Sequence, residues 1–168
     1  MKKITFALLL LLISSPAFAL KPGDEAPMFT LQDIAGRNFQ LSDVVGARIK
    51  GQGKGIVVSF FASWCASCRE ELPLINSLVD ELKAQGITVA LIGLKENAGS
   101  IKALLAQLKV DKPIILTDPS GKTGQQYGVR FLPVTFFIGP EGRVKDIIYG
   151  EISDQKEMRN SVQKLLQK

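Results

Sequence analysis

The chain predicts an α/β fold: a central mixed sheet flanked by helices, with a β-hairpin extension at the N-terminal side. Three observations carry this. Apolar runs at 56–61, Ile87–Leu94 and Val134–Ile138 are short and rich in β-branched and aromatic residues, as strands covered on both faces are. After the first run, Leu72, Ile75, Leu78, Val79 and Leu82 recur at three- and four-residue steps and mark an amphipathic helix. The order strand, helix, strand, helix requires right-handed crossovers and helices on both faces of the sheet.

The first nineteen residues are not expected to belong to the fold. Met1-Lys2-Lys3, an apolar stretch over 4–13, and Ser14-Ser15-Pro16-Ala17-Phe18-Ala19 form the basic head, hydrophobic run and small-x-small end of a secretory signal, cleaved after Ala19. Residues 1–19 are thus read as a signal peptide and 20–168 as one folded domain, exported to the periplasm. An uncleaved membrane anchor is the alternative, but the apolar run is shorter than the ~20 residues a spanning helix needs. No cysteine lies near the cleavage point, which excludes a lipid anchor.

The chain of 168 residues is 46% hydrophobic, enough for one sizeable core. Its net charge is +5, and loss of Lys2 and Lys3 lowers this to +3. Lys and Arg are scattered singly without interleaved aromatics, so nucleic acid is not an expected partner.

Residues 20–27 carry Pro22, Gly23 and Pro27 and read as an extended lead-in. Phe29-Thr30-Leu31 and Phe39-Gln40-Leu41 flank a turn at 33–38 and read as the hairpin, with Ser42 or Asp43 capping a short helical turn. Residues 46–55 hold four glycines with Arg48, Lys50 and Lys54 and read as a surface loop. The helix after Cys65 is expected to reach about Gln85, to stop at Gly86, and to be bent by Pro73 within it. Ser100 is expected to cap a helix carrying Ile101, Leu104, Leu105 and Leu108. Residues 113–116 read as a short strand, 118–121 as a turn into a short helix ending near Gly128, and Val144–Tyr149 as the hairpin partner of Val134–Ile138. Ser153 or Asp154 caps the last helix, whose buried stripe is Met158, Val162, Leu165 and Leu166.

The chemistry-bearing stretch is Trp64-Cys65-Ala66-Ser67-Cys68, at the junction of the first apolar strand and the helix. A thiol at a helix start sits among unpaired backbone N–H groups, whose partial positive charge favours the thiolate. Cys65 is therefore the candidate nucleophile. Cys68, one turn further in, can close a short disulfide with it, so the pair can carry two electrons. Structural zinc needs four ligands, and the chain has two Cys and no His, so no metal or other cofactor is expected. Covalent haem attachment requires His directly after the second Cys, where Arg69 stands. A purely structural disulfide remains the competing reading.

With Phe60 to Pro73 taken together with Gly23 to Leu31, Tyr127 to Ile138 and Glu141-Gly142-Arg143, the chain resembles the thioredoxin superfamily. Within it, the likeness is to the TlpA/ResA-like exported thiol-disulfide oxidoreductases of cytochrome c biogenesis. The resemblance implies a thioredoxin-like fold, a cis bond before Pro133, and a loop facing the thiols in which the Leu132 backbone pairs with a substrate segment. It also implies that Trp64 packs over the active site. Thioredoxin itself carries a buried acid six residues before its first Cys; Ser59 stands there in this chain. Glu71, three residues after Cys68, matches an acid of the TlpA/ResA-like pattern, and in apolar surroundings it is suited to exchange a proton with the thiols. A solvated helix face is the alternative for Glu71 and the expectation for Glu70.

The function expected is reduction of protein disulfides by Cys65 attack and Cys68 resolution in an otherwise monomeric enzyme. Apocytochrome c is the substrate the resemblance implies, and a membrane thiol-disulfide reductant the source of electrons. A peroxiredoxin-type peroxidase is a second reading, but it needs Pro-x-x-x-Thr-x-x-Cys, and Val58 and Ala62 fill the Pro and Thr places. A non-enzymatic binder with an inert disulfide is the third.

Overall fold

A computed structural model describes residues 19–46 and 53–167. The expected signal peptide, apart from Ala19, lies outside the described residues, and so do residues 47–52 of the expected glycine-rich loop.

The hydrophobic pattern resolves into β1 (Thr30–Asp33), β2 (Asn38–Gln40), β3 (Gly55–Phe61), α1 (Ala66–Ala84), β4 (Ile87–Leu94), α2 (Ala98–Leu108), β5 (Ile114–Asp118), α3 (Lys122–Gln126), β6 (Val134–Ile138), β7 (Val144–Tyr149) and α4 (Gln155–Leu166), with a 3-10 turn at Leu41–Asp43. The strands form one mixed sheet in the order β2-β1-β5-β4-β3-β6-β7. β3, β4 and β5 are parallel, joined through α1 and α2, while β6 and β7 return antiparallel on one side. The N-terminal hairpin adds to the other side, β1 pairing with both β2 and β5.

Alternation along β3 divides the core into two layers. Val57 and Phe61 face a layer built with Leu72 and Ile75 of α1, Ile101 of α2, and Met158 and Val162 of α4. Ile56, Val58 and Phe60 face the opposite layer with Leu41, Tyr127 and Phe136. Tyr127 packs edge-on against Phe29 and Phe136 and donates its hydroxyl to the Pro27 carbonyl at 3.0 Å, tying the lead-in across this face. An isolated bridge between Glu25 and Arg143 extends the same attachment.

Several boundaries differ from expectation for local reasons. α2 is capped by Asn97, whose side-chain oxygen accepts the Ser100 N–H at 3.0 Å, so Ser100 lies inside the helix it was expected to start. Gln40 and not Ser42 or Asp43 precedes the 3-10 turn, and Leu41 opens that turn instead of ending a strand. Asp154 is the cap of α4, accepting the Glu157 N–H at 2.8 Å. In that helix Ser161 joins the buried stripe, while Leu166 lies only partly covered at its margin. Gly55 belongs to β3 and not to the loop. At its φ of +132° a Cβ would come within 2.3 Å of the Ile138 carbonyl, so only glycine lets β3 begin against the end of β6.

Among the described residues no helix is long and apolar enough to cross a membrane.

Candidate active site

β3 delivers the chain to the site, and α1 receives it. Cys65 is the N-cap of α1, with an extended backbone, and its sulfur accepts the Cys68 N–H at 3.2 Å. This is one of the unpaired donors of the first helical turn, and it is aimed at the sulfur that the sequence singles out. Cys65 and Cys68 are joined as a disulfide, with Cα atoms 5.3 Å apart. The two residues differ in exposure: Cys65 is 6% exposed and Cys68 is fully covered. The Ser67 hydroxyl stands 3.7 Å from the Cys65 sulfur.

The turn before Cys65 is held from the neighbouring strand. The Glu96 carboxylate accepts the Ser63 N–H at 2.6 Å and also the Ser63 hydroxyl. Glu96 follows the C-terminal end of β4, Ser63 the C-terminal end of β3, and the two strands are parallel neighbours. Polar groups gather outside the carboxyl ends of parallel strands, where ladder pairing stops. Sequence reasoning missed Glu96, because 33 residues separate it from Ser63; its place just past a buried parallel strand was the available signal.

Glu71 is buried, at 1% exposure, one turn beyond Cys68 on α1. Its Oε1 accepts the Ser59 hydroxyl at 3.0 Å, and its Oε2 accepts the Ile152 N–H at 2.9 Å. Burial raises its pKa from 4.5 to about 7, against the lowering effect of those two donors; Glu151 and Glu157 add to the rise. The expectation of a solvated side chain therefore holds for Glu70, which is exposed, and not for Glu71.

The Leu132–Pro133 bond is cis. The ladder pair Phe60–Val134 sets Pro133 beside the end of β3, next to the segment that leads into Cys65. Trp64 is 74% exposed, so it is no core aromatic. It lines a cleft with Leu94, Lys95, Val129, Phe131 and Leu132, closed on one side by Gly124 and Gln125 of α3. The structure thus brings Trp64, Cys65, Cys68, Leu132 and Pro133 to one end of the sheet, with Glu71 beneath. Val58 and Ala62, at the places a peroxidatic motif needs for Pro and Thr, are both fully buried and apolar. Among the described residues no cluster of potential ligands for a metal ion occurs.

A two-cysteine helix tip beside a cis-proline loop, set on this sheet, is the thioredoxin-like arrangement. The chain belongs to the AhpC/TSA family, whose model matches residues 22–147. It is similar to the thiol-disulfide oxidoreductase ResA of Bacillus subtilis (strain 168), with 29% identity over 136 residues that cover 81% of this chain and 72% of that protein. It is also similar to ResA of Geobacillus thermodenitrificans (strain NG80-2), 31% identical over 137 residues, 82% of this chain and 74% of the relative. Among solved structures, a Chlorobium tepidum protein described as a thiol:disulfide interchange protein, DsbE, superimposes with a TM-score of 0.77 at 30% identity, covering 89% of this chain and 100% of its own. These relatives support protein thiol-disulfide oxidoreductase activity for the chain.

Proposed function

We propose that the protein works outside the cytoplasm as a reductant of protein disulfides. One observation carries the order of events: of the two cysteines, Cys65 alone keeps any exposure, and its sulfur accepts a helix-tip N–H. In the dithiol form the Cys65 thiolate attacks a substrate disulfide, forming one S–S bond and releasing the distal substrate sulfur as a thiolate that takes up a proton. The Cys68 thiol then gives its proton to Glu71 and attacks the Cys65 sulfur. The second substrate sulfur leaves, two electrons have passed to the substrate, and the enzyme is left as the disulfide.

Glu71 suits the proton step because a carboxyl that titrates near 7 is present in both forms at neutral pH. Trp64 and the Leu132–Pro133 segment would seat an extended substrate chain beside Cys65, by the strand addition expected of that backbone. Within this reading the substrate is apocytochrome c with its C-x-x-C-H pair oxidised, and a membrane thiol-disulfide reductant restores the dithiol. Both follow from the TlpA/ResA-like resemblance, and the periplasmic setting follows from residues 1–19.

The test is reduction of insulin disulfides with dithiothreitol as electron donor, run beside consumption of hydrogen peroxide. The expected result is acceleration of insulin reduction that Cys65→Ala abolishes, with no comparable peroxide turnover. No acceleration over dithiothreitol alone, or faster turnover of peroxide than of insulin, overturns the proposal.

A further inference from the structure

Glu71 reaches across three strands. One of its oxygens takes the Ser59 hydroxyl from β3, and the other takes the Ile152 N–H, just past β7. β6 runs between β3 and β7, and the residue it sets directly opposite Ser59 is Thr135. Val57 and Phe137, two residues from Ser59 and Thr135, both face the layer under α1, so Ser59 and Thr135 point to that same face. Directly paired side chains on one face stand about 5 Å apart at Cβ. Thr135 is fully buried, yet its hydroxyl has no hydrogen-bond partner among the described residues.

A buried hydroxyl left unpaired costs about 1–3 kcal/mol. Glu71 has capacity to spare: a carboxylate offers about four acceptor sites, and two donors are in place. We propose that Thr135 is a positioning residue for Glu71, its hydroxyl turning to become the third donor to the carboxylate when the disulfide has opened and Glu71 has ionised. The inference rests on the proton-exchange role given to Glu71 above. Rotation between staggered wells about the Cα–Cβ bond moves this hydroxyl without moving the strand.

The groups around Glu71 make such a donor consequential. From α1 comes Cys68, one turn before it, from β3 the neutral Ser59, from the segment after β7 the Ile152 N–H with the Glu151 carboxylate, and from α4 Glu157. The named charges are negative and oppose ionisation, so hydrogen-bond donors are what offset them. An O–H given to a carboxylate is roughly twice as strong as one shared between neutral groups, so Thr135 favours the ionised form.

The experiment follows Glu71 in the reduced protein by its infrared carboxyl band, isolated by difference against Glu71→Gln, alongside the pH profile of Cys65 alkylation. Thr135→Val, which keeps shape and deletes the hydroxyl, is expected to move the Glu71 midpoint upward by on the order of one pH unit. Thr135→Ser, which keeps the hydroxyl, is expected to leave it in place, and Thr135→Val is expected to add nothing to the alkylation profile of Glu71→Gln. A Thr135→Val midpoint equal to that of the unaltered protein overturns the proposal. So does an equal shift in Thr135→Ser, which marks a packing effect. Should Glu71→Gln leave the alkylation profile unchanged, the proton-exchange role of Glu71 fails, while the infrared midpoint still decides whether Thr135 serves it.

Discussion

Ser59 and Glu71 meet between β3 and α1, hydroxyl to carboxylate at 3.0 Å, both side chains out of water. The place six residues before the first Cys thus holds a hydroxyl that supports a buried acid supplied by the helix.

That placement sets a pH dependence of stability. Unfolded Glu71 ionises near 4.5, folded Glu71 near 7, so between these values the folded state holds a proton that the unfolded state has lost. Stability therefore falls as pH rises through this window, and the contribution is constant above it. A difference of this size corresponds to about 3 kcal/mol. Urea titrations of the oxidised protein at pH 5 and pH 8 are expected to show the loss in the unaltered chain and its absence in Glu71→Gln. Equal losses in both would remove Glu71 as the source.

Ser59→Ala deletes one donor to a buried carboxylate. It is expected to destabilise the oxidised protein by about 1–3 kcal/mol at pH 8, where Glu71 is mainly ionised, and by less at pH 5. The same urea titrations measure this. A larger cost at pH 5 than at pH 8 would show that Ser59 supports the protonated acid instead.

Much of this was legible in the sequence, and the limit is instructive. Ile87–Leu94 and Val134–Ile138 stand where their apolar runs place them, because burial on both faces leaves a strand little other composition, and Val144–Tyr149, a half-buried strand, stands where the turn at 140–143 places the hairpin partner. Cys65 at the start of α1 was readable because a strand-to-helix junction is a local feature. What depends on contacts between distant segments was not. Ser59 was noted only for the acid it lacks, since its partner lies on the next element and the third member of the network, Ile152, lies 81 residues from Glu71. Asn97 displaced Ser100 as a cap because both are good capping residues, and only the chain's exit from β4 decides between them.

Glu96 tests whether the turn before the nucleophile has to be held. Glu96→Ala leaves the Ser63 N–H and hydroxyl without their acceptor. The expected outcome is a several-fold slower reduction of insulin, with a stability cost of about 1–3 kcal/mol. Glu96→Gln, which keeps an acceptor, is expected to recover most of the rate. Full activity in the alanine variant would show that Cys65 holds its place without this support.

The most direct measurement joins a substrate to the enzyme and finds the atom that holds it. Reduced Cys68→Ala and reduced Cys65→Ala proteins are each mixed with a synthetic peptide that carries an oxidised C-x-x-C-H segment, quenched with acid, and mapped by mass spectrometry. The expected result is an abundant mixed disulfide at Cys65 in the Cys68→Ala protein and almost none in the other. Linkage through Cys68, or none in either variant, would contradict it.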